Sequence, residues 1–415
     1  MTGPEAARRL LASRLLRWVG EQSGNEIFLT GGSLRDRLLG HSTHDLDLVV
    51  RGDARATAIR LATALGGKAF SLGKPPFVTW RVVAAERQLD VWSFSGSVEE
   101  DILRRDFTVN ALFWRLPRGP LLDLVGGLDD LAAGRIRVIA RQNLDRDPLR
   151  VLRGLRLVAT RPELRLTTEA NHQLAAASPG LPRVAKERVV SELSLLVTGR
   201  NARRALLSGW RLGIFAQLFP GPTTLAGADR LAQVAGALSS LAHSYHGWLG
   251  AGARSIAPAL LAAPAANFPG AWDEEIAEDA LAGAGWPRRS ARALARAVTL
   301  GERLAASTMR TGGEARAVAV AAGDSLPAAL AWSVARSGVL DDSALAAARS
   351  LGDWTHGFLR RPPLLGGDEI ARLLGLPSGP ARAAAVNVLR QARATGRVRS
   401  RRAAVEFLRG WAERH

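Results

Sequence analysis

The sequence predicts an α/β N-terminal region followed by an all-α remainder. Two patterns carry this reading. Up to about residue 140, short β-like apolar runs alternate with helical periodicity; from Leu144 onward the strand signal almost vanishes and arginine- and alanine-rich helical patterns run to the end. Size agrees, because 415 residues with 47% hydrophobic content can bury several cores and divide into roughly two to four domains.

In chain order, MTGPEAARRLLASRLLRWVG reads as a leading amphipathic helix whose arginines interrupt its apolar positions. Ile27-Phe28-Leu29-Thr30 is a β-like run, and Gly31-Gly32-Ser33 turns directly into a helix expected to begin near Leu34, with Ser33 as a candidate N-cap. A strand around Leu48 follows in DLDLVV, then a helix from Ala54 to Leu65 and strands over Val78 to Val83 and Leu89 to Phe94. Pro-Gly-Pro at 220–222, the stretch from Pro258 to Pro269 and Arg-Pro-Pro at 361–363 punctuate the helical remainder. There is no repeat of fixed period, and the Ala-Gly-rich stretch 225–330 carries little motif content, so its packing is not readable.

Net charge is +18, which suits a polyanionic partner held by counterion displacement. Only Lys68, Lys74 and Lys186 are lysines, so the arginine excess reads partly as compositional bias and charge alone weighs little. The absence of cysteine excludes disulfides and thiolate zinc sites and fits a reducing cytoplasm. No uninterrupted apolar stretch reaches the roughly 20 residues that span a bilayer, so a soluble, unprocessed protein without a membrane role is expected.

Chemistry concentrates in FLTGGSLRDRLLGHSTHDLDLVVRG, from Phe28 to Gly52. Asp45 and Asp47 are two apart on a strand, so both carboxylates leave the same face and can share metal ions. Two divalent cations there would clamp an in-line displacement at phosphorus, and an oxygen-only site suits Mg²⁺. The bland alternative is a strand end with two solvated acids. The Gly31-Gly32-Ser33 turn ahead of a helix aims backbone N–H groups at an anion, with Arg35 adding charge. No Walker A sequence is present, and no His/Asp cluster suggests a phosphohydrolase; the one His-Asp doublet, His44-Asp45, belongs to the metal motif. Asp90, in the alternating Leu89-Asp90-Val91-Trp92, could bring a third carboxylate if its strand runs beside the first. Arg104 and Arg105 offer bidentate forks for phosphate oxygens, and Asp106 and Asn110 can accept from ribose hydroxyls; a surface basic pair entering a helix is the alternative.

GGSLRDRLLG followed by HDLDLVV resembles the head-domain motif of class II CCA-adding enzymes and bacterial poly(A) polymerases. LRRDFTVNALFW, DLVGGLDDLAAGRIRVI, DPLRVLRGLRLVA and LLGGDEIARLLGLPSGPARAAAVNVLRQARATGRV resemble later family segments in the same order. The resemblance implies a polymerase-beta-like mixed-sheet nucleotidyltransferase head (1–140), a helical base-reading neck (141–215), a helical body (216–345) and a tRNA-binding tail (346–415). It implies that Arg105, Asp106 and Asn110 hold the triphosphate and sugar. Asp147 and Arg150, three apart on a helix, would read the base: a carboxylate accepts from the exocyclic amine of C and A, and a guanidinium donates to the neighbouring ring nitrogen. Asp147-Pro148 reads equally as a helix start. The family usually has an acid before this Asp, whereas Arg146 stands here, which leaves the orientation of Arg150 and the preferred base open. Arg150, Arg153 and Arg156 form a basic stripe that could face triphosphate or RNA or simply be solvated, and Glu192 suits a structural ion pair.

The family's flexible loop is short here, Ser95 to Leu103, as in its CC-adding branch. The implied activity is template-independent addition of CMP, and AMP in a full CCA enzyme, to the 3′ end of tRNA, with CTP and ATP as substrates, Mg²⁺ as cofactor and no protein partner. A poly(A) polymerase and a noncatalytic RNA-binding protein are the alternatives.

Overall fold

The computed structural model describes residues 13–43, 45–73, 78–85, 87–94, 96–219, 225–263, 272–306 and 312–414. The first half of the expected leading helix, His44, Lys74, Ser95 and Pro-Gly-Pro at 220–222 lie outside the described residues. The chain forms two compact units, Met1–Gly154 with Pro162–Leu181 and Leu155–Arg161 with Pro182–His415.

The first unit opens with α1 (Arg14–Gln22), capped by the Ser13 side chain, and enters β1 (Ile27–Thr30), whose residues are all buried. α2 (Gly31–Leu38) follows without a loop, because Gly31 takes a φ of 63° that reverses the chain in one residue. β2 (Asp45–Val50) then lies between β1, antiparallel, and β5 (Arg87–Ser93), parallel. Parallel neighbours need a crossover. It is supplied by α3 (Ala54–Leu65), started by the Asp53 side chain and stopped at Gly66, and by the hairpin of β3 (Lys68–Leu72) and β4 (Thr79–Ala84). With α4 (Val98–Leu103), β6 (Phe113–Arg115) and β7 (Leu121–Leu122), the seven-stranded sheet runs β3-β4-β5-β2-β1-β6-β7. Beyond it come α5 (Gly127–Ala132), β8 (Arg135–Ile136), α6 (Arg141–Arg146), α7 (Leu149–Thr160), β9 (Arg165–Leu166), parallel to β8, and α8 (Thr168–Ala177).

One face of β2 changes character along its length. Asp45 is exposed, Asp47 half-buried and Val49 fully buried. Val49 joins Phe28, Phe94, Val98, Ile102, Ala111 and Phe113 in an apolar cluster, in which Phe28 meets the Phe94 and Phe113 rings edge-on at 6.3 and 6.1 Å. The cluster anchors the strand while its N-terminal end stays polar.

Two local expectations are corrected. Ser33 is not the N-cap of α2; Thr30 occupies that position, and the Ser33 hydroxyl donates to the Thr30 carbonyl at 3.0 Å from inside the first turn. The segment expected as a loop before Leu103 is helical from Val98, because the Ser97 side chain caps the Glu100 amide and Glu99, Glu100 and Asp101 complement the dipole of the first turn.

Among its described residues the second unit holds helices and no strand. Gly313–Ala335 is long and apolar enough to cross a membrane by length and composition, but it is interrupted at Gly323 and most of its apolar stretch is buried within the fold. The helices Gly367–Leu374, Pro380–Ala394 and Arg401–Ala412 enclose their own core of Leu365, Ile370, Leu389, Val398 and Leu408.

Leu48 lies on the other face of β2, at 0% exposure. Leu48→Ala should lower the stability of the first unit by about 3 kcal/mol, read as an earlier urea transition of that unit.

Candidate active site

Ser33 and Asp47 hold each other through reciprocal hydrogen bonds. The Ser33 amide donates to Asp47 Oδ2 at 3.0 Å, and the Asp47 amide donates to Ser33 Oγ at 2.8 Å. A Cβ on Gly31 would sit 3.1 Å from the same Oδ2, so the bare glycine admits the carboxylate as well as the positive φ. Burial pushes the Asp47 carboxyl above its ordinary range; the Ser33 amide and the charges of Arg105 and Arg35 oppose that shift, and Asp90 adds to it. The turn was expected to aim its N–H groups at an external anion; the Ser33 N–H is instead committed to Asp47.

Strand register sets Asp90 directly across from Asp47, as its alternation suggested. Its carboxylate is engaged, however. Arg81 on β4, opposite Asp90, donates Nε to Oδ1 and Nη2 to Oδ2, both at 2.8 Å. Among the described residues no group of three or more His, Cys, Asp or Glu side chains converges as a metal site, and Asp90 is paired with Arg81. Asp45 and Asp47 are the two carboxylates on this strand face that could hold a metal.

A buried polar chain backs this face. The Arg35 guanidinium, in a residue only 5% exposed, donates to Asp36 at 2.9 Å and to Asn110 Oδ1. Asn110 Nδ2 donates to Asp106 Oδ1 at 3.0 Å, the Phe107 amide donates to the same oxygen at 2.8 Å, and Arg153 Nη1 donates to Asp106 Oδ2 at 3.0 Å. Burial acts to raise the Asp106 carboxyl, but Arg153, Asn110, Arg150 and the Phe107 amide together hold it below the ordinary carboxylate range. Arg35, Asp106 and Asn110 were expected to meet phosphate and sugar. In this structure they are buried and bonded to one another. Arg105 is also engaged, donating to Asp101 at 2.8 Å and stacking over the Trp92 and Phe113 rings at 5.4 and 4.9 Å. Arg104 donates Nε to the Glu100 carbonyl at an exposed position.

Asp147 sits between α6 and α7 rather than within a helix, and its Oδ2 lies 4.0 Å from Arg150 Nε. Arg150 Nη1 donates to the carbonyls of Arg104 at 2.8 Å and Asn143 at 3.1 Å, so the protein backbone orients this guanidinium with Arg146 in place. Its Nε is buried and has no hydrogen-bond partner. The expected stripe is not one open surface: Arg153 holds Asp106, and Arg156, in the second unit, pairs with Glu192 at 2.6 Å, as expected of Glu192.

Sequence reasoning missed Arg81, Asp36 and Asn143, whose Nδ2 donates to the Leu103 and Arg105 carbonyls. Arg81 had a signal. The Ala84–Arg87 pairing of the β4–β5 hairpin sets it opposite Asp90. Asp36 and Asn143 had none, since their partners are set by tertiary contact.

Arg153→Leu leaves Asp106 buried without its nearest cation. It should cost about 3 kcal/mol near neutral pH. The folded carboxyl lies below its unfolded value, so its stabilising effect is present above the ordinary carboxylate range and lost as pH falls; the deficit of the variant, followed by urea unfolding, should shrink in acid.

A sequence profile described as the Poly A polymerase head domain matches residues 76–137. The chain is 30% identical over 412 residues to the CC-adding tRNA nucleotidyltransferase of Thermus thermophilus, covering 93% of this chain and 94% of that one. It is 38% identical over 199 residues to the A-adding tRNA nucleotidyltransferase of Deinococcus radiodurans, covering 46% and 44% of the two chains. With several such relatives the match spans about half their length. The fold is that of the CCA-adding enzyme of Bacillus stearothermophilus solved with CTP, at a TM-score of 0.69 and 21% identity, covering 100% of this chain and 98% of that one. With carboxylates, backing network and Asp147–Arg150 pair assembled in one unit and a relative matched end to end, the chain belongs to the tRNA nucleotidyltransferase family of CC-, A- and CCA-adding enzymes.

Proposed function

We propose that this nucleotidyltransferase adds two CMP residues to the 3′ end of tRNA lacking CCA, with CTP as donor and pyrophosphate as leaving group. The observation that carries the chemistry is Asp47 fixed by Ser33 beside Asp45 on one strand face. These hard oxygen donors suit Mg²⁺, which would neutralise triphosphate charge and lower the pKa of the attacking 3′ hydroxyl. Asp147 accepts from the exocyclic amine of cytosine, and the unpaired Nε–H of Arg150 donates to the adjacent ring nitrogen. Uracil offers a carbonyl where the amine should be, and that oxygen is repelled by the Asp147 carboxylate. Arg104, at an exposed position, is the phosphate contact, while Arg35, Arg105, Asp106, Asn110 and Arg153 keep the site's walls in place.

Stopping at CC is supported by the end-to-end match to a CC-adding relative and by the short segment before Arg104, whose length leaves room only for α4. The net charge of +18 suits the tRNA backbone, and the lack of cysteine suits the cytoplasm. We assign the head to 1–140, the neck to 141–215, the body to 216–345 and the tRNA-binding tail to 346–415.

The test is extension of CCA-less tRNA with CTP, ATP or both, resolved to single nucleotides. Arrest after two C residues with both nucleotides present is expected. A completed CCA end would overturn the subdivision, long A tails on unrelated RNA would favour poly(A) addition, and no product would remove the activity. Asp45→Ala should lower CMP incorporation at least about 1,000-fold without unfolding the protein. Arg150→Lys, which keeps charge and loses the Nε donor, should cut kcat/KM for CTP by about 100-fold and its preference over UTP with it.

A further inference from the structure

Arg81 stands in one row with Asp90 and Asp47, across β4, β5 and β2. Its fork takes both oxygens of Asp90, the geometry in which a guanidinium binds a carboxylate most strongly. The two side chains are 31% and 20% exposed, so the pair sits at a hydrated surface and not in the core. The cationic form of Arg81 is favoured first by its Asp90 bond and also by the charges of Asp45 and Asp47, so all three carboxylates act on it. No other part of the mechanism uses it.

Resting on the transferase reading, we propose that Arg81 is a built-in counter-cation that holds Asp90 out of metal coordination and weakens divalent-cation binding until a nucleoside triphosphate is present. Two effects produce this. The guanidinium occupies the carboxylate that register sets beside Asp47, leaving two acidic ligands where three could gather. It also sets a positive charge next to the place a divalent cation would occupy. A cation that arrives with a triphosphate brings phosphate oxygens and negative charge of its own, which replace the missing ligand and offset the repulsion. Metal and nucleotide therefore bind cooperatively, and by reciprocity the triphosphate binds tighter with the metal. Arg81 is a positioning residue: it acts through Asp90 and touches neither substrate nor the reacting phosphorus.

The experiment is Mn²⁺ binding to the full chain by electron paramagnetic resonance, without nucleotide and with a non-hydrolysable CTP analogue. Arg81→Leu should bind Mn²⁺ about tenfold more tightly than wild type without nucleotide, and the enhancement by nucleotide should shrink correspondingly. Arg81→Leu combined with Asp90→Asn should return to within about threefold of wild type, because the freed carboxylate is gone. Adding Asp45→Ala to Arg81→Leu should abolish the gain. Unchanged or weaker binding in Arg81→Leu overturns the assignment, as does a gain that survives loss of Asp90 or Asp45. Arg81→Gln, closer in polarity, gives the same readings should the leucine variant not fold. Wild-type CMP incorporation, run in parallel, judges the transferase reading separately. Tighter Mn²⁺ binding in Arg81→Leu without any incorporation would remove that reading and uphold the role of Arg81.

Discussion

The site depends on the two-way bond between Ser33 and Asp47. A strand carboxylate that is half-buried loses hydration, and burial raises the cost of its charge. The Ser33 amide supplies a charge-assisted hydrogen bond in place of water, and the Ser33 hydroxyl, accepting from Asp47 N while donating to Thr30, ties β1, the glycine turn and β2 into one unit. Gly31 is the condition for all of it. Its φ of 63° reverses the chain in a single step, and its missing side chain leaves room for Asp47 Oδ2. The same glycine that reads in sequence as a phosphate turn thus serves first to position a carboxylate.

Behind that junction the protein buries Arg35, Asp36 and Asp106. Asp36, Arg35, Asn110, Asp106 and Arg153 form a continuous run from α2 through the turn at Thr108–Asn110 to α7. Desolvating several ions is expensive, and such a run is weak evidence for stability in itself. Its value is geometric: each member is satisfied by its neighbours, so rotamers that would otherwise wander are fixed, and the elements carrying Asp47, Arg105 and Arg150 are held in register. Apolar packing of the same volume would stabilise the unit as well but would not determine where those side chains point.

The fold was legible where one face decides it. Ile27–Thr30, the Asp45–Val50 strand and the Ala54–Leu65 helix follow directly from apolar spacing and cap residues. α4 was missed because six residues after a glycine look like a loop until Ser97 and the three acids behind it are counted as a cap and a dipole complement. Site residue types were legible and their assignments less so. Asp45, Asp47, Asp147 and Arg150 fall in the same unit, whereas Arg35, Asp106 and Asn110 match the same motifs yet are buried. Motif spacing specifies which residues meet, and burial specifies whether they meet a ligand or each other. In a chain where nearly every cation is arginine, partner choice follows strand register and helix docking, and local sequence carries neither.

Arg150 and Arg153 differ in what holds them. Both lie on α7, one turn apart, and both approach Asp106 electrostatically. Arg153 bonds the Asp106 carboxylate directly, and that contact neutralises a buried acid. Arg150 is anchored through one terminal nitrogen by two backbone carbonyls, neutral acceptors that orient it without discharging it, and its Nε is left buried and unsatisfied 4.0 Å from Asp147. An unsatisfied buried donor costs about 1–3 kcal/mol, and Arg17 and Arg37 carry a buried Nε in the same condition, so for Arg150 the backbone anchoring and the nearness of Asp147 are what set it apart. In the base-reading role proposed for the pair, a base edge offering a ring nitrogen beside an exocyclic amine would satisfy that Nε and meet the Asp147 carboxylate. On that proposal, binding energy would be released only for bases with that donor and acceptor order, which would give a protein surface selectivity without a nucleic-acid template.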